Sequence, residues 1–422
     1  MHNTNKKLLF LGGIPLSREV IKYGHELGLK VYITDYLESS PGKKYADKSF
    51  MVSTTNVGEL TQLIKEESID GVLTGFVDML LPFYNKTCKE AKLPCYITKQ
   101  QIEVLTNKQK FKEVCGKYEI PVVEDFTIKV IEDIQSIEEL KFPILLKPAD
   151  NSGGRGITIC QNREQFNDNY KKTISFSKTK QVLIEKYMKC KEVTIFYYIQ
   201  DGKAHLTAMG DRHVQYFSDN LIPLPVAYTF PSIHLGEYEK SIHPKAVRMF
   251  EDLKMKNGIV FIQSFVENGK CIFYEIGYRL TGSLEYKIIE HASGFNPIKL
   301  MIQYAVNETK SPIIDNLVNP HFSKSYCNIT FLAMPGIIDS IKGIEKIKSI
   351  DNVIDIVLSY EEGDKVPETA LGTLAQVVAR VFAYADSKED LIILMNQIHK
   401  EFKVLDKEGT NMLLPYFDTN TL

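Results

Sequence analysis

Tryptophan is absent from this 422-residue chain, no two cysteines form a Cys-x-x-Cys pair, and neither sign of charge dominates. The missing tryptophan does not leave the chain short of bulk, because 22 phenylalanines and 22 tyrosines supply large apolar side chains. The seven cysteines, at 88, 95, 115, 160, 190, 271 and 327, are odd in number and argue against a disulfide framework or a cysteine-rich zinc site. With 51 basic and 53 acidic residues the formal charge is -2, so no basic stripe offers nucleic acid or a membrane surface a footing. No stretch approaches the ~18 apolar residues that span a bilayer. The apolar run after MHNTNKK is interrupted by Gly12 and Gly13, too soon for a secretory core. The chain reads as reducing, cytoplasmic and soluble.

What is present is ordinary globular composition, 44% hydrophobic and 25% charged. At roughly 150 residues per domain the length suggests about three domains. Over the first hundred residues, short apolar runs (8–13, 30–35, 70–75) alternate with helical patterns (17–28, 56–67), which implies a parallel, Rossmann-like sheet. The turn Gly12-Gly13-Ile14-Pro15-Leu16-Ser17 lacks G-x-G-x-x-G spacing, although Asp35 closes the second strand where a ribose ligand would stand. The reading of Asp35 as an ordinary polar residue ending a strand is favoured over dinucleotide binding. Further on, 142–148, 156–160, 182–188 and 192–203 read as strands. The stretch 221–232, with three prolines, reads as a long loop, and 311–322 as a connection. Residues 323–422 read as a last α+β unit with a charged helix near 387–401.

Between two of these strands lies Ala149-Asp150-Asn151-Ser152-Gly153-Gly154-Arg155-Gly156. Three glycines in four residues let successive N–H groups converge on an anion, as in a phosphate cradle, although an ordinary hairpin tip has the same composition. It is not a Walker loop. Lys147 follows the apolar Ile144-Leu145-Leu146 and so enters a buried setting, and Lys108 lies upstream. Glu185-Lys186-Tyr187-Met188 joins two strands, with Glu192 beyond it. Such a connector can read an adenine edge, and a second carboxylate can accept from ribose hydroxyls.

The order Asn107-Lys108, FPILLKP with Lys147, SGGRG, EKYM with Glu192, then FIQSFVENGKCIFYEIGYR resembles the ATP-grasp superfamily, in the branch of biotin carboxylase and carbamoyl phosphate synthetase large-subunit modules. The resemblance implies a fold of mixed α/β and α+β class. A Rossmann-like domain (1–98) would precede an ATP-grasp nucleotide clamp (99–316, with a lid at about 116–188) and a C-terminal α+β domain (317–422). It further implies that Lys108 and Lys147 contact ATP phosphates and that Ser152, Gly153, Gly154, Arg155 and Gly156 close over them. Glu185 would accept from the adenine amino group, the backbone of Lys186 and Met188 around Tyr187 would pair with the ring, and Glu192 would hold the ribose.

The metal positions depart from the family pattern. Where a carboxylate, a glutamate and an asparagine usually surround two magnesium ions, this chain has Gln263, Glu275 and Gly277. An amide carbonyl can still ligate magnesium or manganese. A two-residue Asn268-Gly269 turn would put Gln263 opposite Tyr274, whereas a three-residue loop would put it opposite Glu275, as the metal reading requires. Arg279 matches the family arginine facing the transferred phosphoryl group, with Lys147 as its catalytic companion. Arg212 and His213 are weaker candidates for substrate binding. The implied activity is ATP-dependent ligation, in which a carboxylate is activated as an acyl phosphate and joined to an amine such as an amino acid, releasing ADP and phosphate. A degenerate ATP-binding regulatory protein and a dinucleotide-dependent oxidoreductase are the alternatives. The expected partners are ATP and small carboxylate and amine substrates, without nucleic acid or membrane, and a homodimer is among the allowed assemblies.

Overall fold

The computed structural model describes residues 5–126, 140–150, 156–217, 223–307 and 318–422. Its first sheet joins β1 (Lys7–Leu11), β2 (Lys30–Thr34), β3 (Lys48–Phe50) and β4 (Gly71–Thr74), all parallel, in the order β3-β2-β1-β4. The KLLFL run of β1 is buried on both faces, as a strand covered by helices on either side must be. Asp35 ends β2 with both carboxylate oxygens on the backbone, accepting from Gly13 N and Leu37 N, each at 2.9 Å. That is the strand-closing role the sequence favoured.

A second, antiparallel sheet has the order β6-β5-β7, from β5 (Ile144–Pro148), β6 (Thr158–Cys160) and β7 (Val182–Lys186). The helix Arg163–Ser175 backs it, and Phe166 seats fully in its small core with Ile144, Leu146 and Ile184. Ser152, Gly153, Gly154 and Arg155 lie outside the described residues.

The remaining strands are β8 (Lys191–Gln200), β9 (Lys203–Gln215), β10 (Leu224–Phe230), β11 (Gly258–Glu267), β12 (Lys270–Gly277), β13 (Ser325–Leu332), β14 (Gly336–Ile337), β15 (Ser340–Lys342), β16 (Val353–Leu358), β17 (Lys365–Val366), β18 (Val377–Ala385) and β19 (Lys403–Leu405). Among the described residues eight of them form one sheet, β12-β11-β8-β9-β10-β13-β18-β16. This sheet runs across the division expected near 317, so the chain after that point extends a sheet begun at Lys191.

Strand β10 corrects the reading of 221–232 as a long loop. Val226, Ala227, Tyr228 and Phe230 are buried between β9 and β13. Proline lacks a donor for the ladder, and these prolines avoid the conflict by position. Pro225 sits at a bulge in the pairing with β9, while Pro223 and Pro231 flank the strand. Among the described residues no helix is long and apolar enough to cross a membrane.

Candidate active site

A cleft of about 1170 Å³ opens between the three sheets. Lys147, from β5, and Glu185, from β7, enter it from the small sheet and are 3% and 1% exposed. Lys147 Nζ lies 2.6 Å from Glu185 Oε2, and Lys112 Nζ lies 2.5 Å from Oε1. Lys112 also donates to Val123 O at 2.7 Å and meets Asp125 at 3.1 Å. Two buried ammonium groups thus bracket one carboxylate. Burial pushes the Lys147 pKa below its ordinary value, Glu185 pulls the other way, and Lys108 and Lys112 add to the depression.

The Glu185 carboxylate, expected at an adenine amino group, faces two lysines: Lys147, on the same face of the small sheet through the β5–β7 register, and Lys112, from the helix Lys108–Lys117. Lys186, Tyr187 and Met188 follow it along the cleft wall, Met188 buried and Lys186 Nζ 3.2 Å from Glu267 Oε1. Lys108 opens the helix Lys108–Lys117, its backbone N donating to Ala149 O at 3.0 Å, so the helix start is tied to the glycine-rich segment. Gly156 has φ +78°, and a Cβ there would stand 2.7 Å from Phe176, which reserves the position for glycine.

The far wall is the face of the large sheet. Glu192, on β8, stands opposite Arg212, on β9, and the two form an ion pair. Tyr274 Oη donates to the same Glu192 oxygen at 2.8 Å. The expected ribose ligand is therefore held by an arginine and a tyrosine within the protein. Arg212 and His213 are not brought together at the site. His213, one residue on, does not line the cleft, as period-2 alternation demands. Its Nε2 meets Thr229 Oγ1 at 2.8 Å and its ring lies 4.6 Å from Phe417, beside a second cavity of about 350 Å³. Burial lowers its pKa to about 4, with Lys191 and Lys388 adding to the effect.

Gln263 and Glu275 are direct cross-strand partners and both line the cleft. This is the shared-face arrangement that the metal reading needs. Two positions beyond Glu275, a Cβ on Gly277 would lie 2.0 Å from Phe261 Cε1, so the Phe261 ring fills the space where a side chain at 277 would stand. The Arg279 guanidinium rests over the same ring, 4.9 Å from its centroid. Arg279 is held from the N-terminal unit by Asp78 through two parallel bonds, Nε to Oδ1 at 2.6 Å and Nη2 to Oδ2 at 2.7 Å. Among the described residues no group of three or more His, Cys, Asp or Glu side chains is placed to hold a metal ion.

The cleft thus gathers Lys108, Lys147, Glu185, Lys186, Tyr187, Met188, Glu192, Arg212, Gln263, Glu275 and Arg279. Sequence reasoning missed Lys112, Asp78, Tyr274 and Arg380. Lys112 carried a signal, lying four residues from Lys108 on one helix face. Arg380 carried another, a lone charge inside the apolar run VVARVFAYA. Asp78 carried none, since its partner lies 201 residues away.

Residues 107–312 match the family model described as carbamoyl-phosphate synthase L chain, ATP binding domain. The chain is 23% identical over 290 residues to a formate-dependent phosphoribosylglycinamide formyltransferase of Sulfurisphaera tokodaii, covering 65% of this chain and 70% of that one. It is 26% identical over 326 residues to the 2-oxoglutarate carboxylase small subunit of Hydrogenobacter thermophilus, covering 72% and 67%. In three dimensions it resembles an L-amino acid ligase from Bacillus licheniformis with a TM-score of 0.76 at 18% identity, over 96% of this chain and 99% of the other. At that identity the likeness establishes a shared fold.

Proposed function

We propose that this chain, whose residues 107–312 match the family model described as carbamoyl-phosphate synthase L chain, ATP binding domain, is an ATP-grasp enzyme, an ATP-dependent ligase joining a carboxylate to an amine. The observation that carries the reading is the single cleft in which Lys108, Lys147 and Arg279 face the opposed pair Gln263 and Glu275. Cations fixed before the reaction stabilise charge developing on a transferred phosphoryl group at little reorganisation cost.

In the first step a carboxylate oxygen forms a bond to the terminal phosphorus of ATP, and the bond to the bridging oxygen breaks with its electron pair leaving on ADP. In the second, an amine nitrogen forms the C–N bond, phosphate departs with the C–O pair, and the nitrogen releases a proton to solvent. Lys108 and Lys147 bind phosphate oxygens. Arg279, its plane fixed by Asp78 and its Nη1 donating to Leu280 O at 3.0 Å, lines the cleft and meets the transferred phosphoryl group. No protein nucleophile is required. By analogy with the L-amino acid ligase, an amino acid is one substrate.

Gln263 and Glu275, on one face of the β11–β12 hairpin, would hold a magnesium ion through their side-chain oxygens. Such an ion would supply charge neutralisation on the phosphates, with Glu275 as the one carboxylate of this pair.

Phosphate release is the test. Purified protein incubated with ATP, magnesium and a panel of carboxylic acids and amines should release phosphate only when a matched pair is present. Nucleotide binding without magnesium-dependent release across the panel would leave a regulatory nucleotide binder.

A further inference from the structure

Among the described residues four arginines line the cleft; Arg18 is exposed over the Tyr45 ring, and of the three that are not exposed two hold a carboxylate: Arg212 holds Glu192 and Arg279 holds Asp78. The third, Arg380, is 5% exposed and lies on β18 opposite Thr330 of β13, to whose Oγ1 its Nη1 donates at 2.5 Å. Among the described residues no carboxylate oxygen lies within 4.0 Å of its guanidinium. A buried cation without a counter-ion carries a desolvation penalty that a bound anion would offset. Burial correspondingly lowers its pKa, Tyr228 and Glu285 oppose the shift, and Arg212 adds to it.

The charged groups that Arg380 interacts with are Glu285 and Arg212, on the segment that follows Arg279 and on the face of the large sheet. Asn328, two residues before Thr330 and on the same face of β13, donates from Nδ2 to Ser283 O at 2.6 Å. Ser283 belongs to the segment that leaves Arg279, and the hydroxyls of Thr281 and Ser283 donate to Glu285 Oε2 at 2.6 and 2.8 Å. Thr281, Ser283 and Arg380 all line the cleft. Ser283 is at most about 14 Å along the chain from Arg279, and Glu285, held by Thr281 and Ser283, interacts electrostatically with Arg380, so Arg380 faces the segment that follows Arg279. One uncompensated guanidinium matches a planar, singly charged carboxylate. A phosphate dianion would call for a second cation beside it, and Arg212, the cation whose charge acts on Arg380, is already paired with Glu192.

We infer that Arg380, aided by Thr330, binds the α-carboxylate of an amino acid whose amino group accepts the activated acyl group. This rests on the ligase reading above, and deepens it by naming the acceptor class. The test is a thermal-shift titration of the full-length protein with a non-hydrolysable ATP analogue and magnesium. The twenty common amino acids are each compared with their carboxamides and with inorganic phosphate. At least one amino acid should raise the melting temperature while its carboxamide does not. R380Q should weaken that amino acid on the order of ten- to a hundred-fold, R380K should weaken it less, and neither should alter the response to the ATP analogue. If R380Q does not fold, T330V serves in its place and should weaken the same amino acid. The proposal is overturned if no amino acid responds, if acid and carboxamide respond equally, if R380Q or T330V binds like the wild type, or if phosphate alone gives an Arg380-dependent response. Failure of the ATP analogue to shift the melting temperature would instead remove the ligase reading, and the acid-against-amide contrast would still be read.

Discussion

Gln263 stands directly across the β11–β12 hairpin from Glu275 although the hairpin closes on the two-residue turn Asn268-Gly269. Both turn residues have positive φ, +53° and +76°, as a type I′ turn requires. That turn alone would set Gln263 against Tyr274. The register shifts between Gln263 and Ser264, so Tyr274 becomes the extra residue of a bulge, and its hydroxyl reaches Glu192. Turn and bulge together create the opposed oxygen pair. Glu275→Gln is expected to reduce magnesium-dependent phosphate release by at least about a hundred-fold. Gln263→Glu, which restores a second carboxylate on the same face, is expected to lower the magnesium concentration for half-maximal release by about tenfold. A magnesium titration of both variants checks the pair, and unchanged curves would remove the metal assignment.

The Lys112–Glu185–Lys147 triad separates folding from binding. Glu185→Gln leaves two buried ammonium groups without their shared counter-ion and is expected to destabilise the fold by about 3–5 kcal/mol, measured by urea denaturation. Lys147→Ala leaves the Lys112–Glu185 pair intact, so its stability loss should be smaller, while ATP affinity measured by calorimetry should fall at least about tenfold. If Lys147→Ala binds ATP normally, Lys147 is a structural partner of Glu185 and nothing more.

The sequence made most of the local structure legible where burial and periodicity agree. The strands around Leu8–Leu11 and Ile144–Leu146 are continuous apolar runs, and the helix Lys388–Glu401 announces itself through Ser387, which caps it. Strand β10 was illegible because three prolines outweigh its apolar content until the bulge at Pro225 is seen. The cleft-lining positions from Lys108 to Arg279 were legible as a constellation, since each motif is local. Their partners were not. Asp78 meets Arg279, Lys112 meets Glu185, and Arg380 reaches the cleft only because β13 and β18 extend the sheet begun by β8. Ion pairs across such sequence separations leave no periodic trace.

Asp78 acts on the reaction through Arg279. Its bidentate hold fixes the guanidinium plane, and misplacing a group at a reacting centre by about 1 Å costs on the order of a hundred-fold in rate. Asp78→Asn is expected to lower kcat by roughly that factor with the KM for ATP nearly unchanged, because the phosphate lysines come from other elements. Asp78→Glu should recover part of the rate. A matching rise in the KM for ATP would place Asp78 in nucleotide binding instead.

His399 predicts how stability depends on pH. Its ring stacks on Tyr416 at 4.9 Å with planes 6° apart and meets the edge of Phe331 at 5.7 Å. Burial lowers its pKa from 6.5 to about 4, so the folded protein holds it neutral where the unfolded chain would protonate it. The unfolded state binds the extra proton between these two values. The contribution is therefore fully present above about pH 6.5 and shrinks as pH falls toward 4, with a total of about 3 kcal/mol at most. His213, lowered to about 4 as well, acts in the same direction. Carboxylates titrate over part of the same range, so the wild-type curve alone does not isolate the histidine. His399→Phe keeps the aromatic packing and removes the proton site. The difference in melting temperature between wild type and variant should grow steadily as the buffer is taken from pH 7 to pH 5, the variant losing less. A constant difference across that range would show that the folded protein protonates His399 as readily as the unfolded chain does.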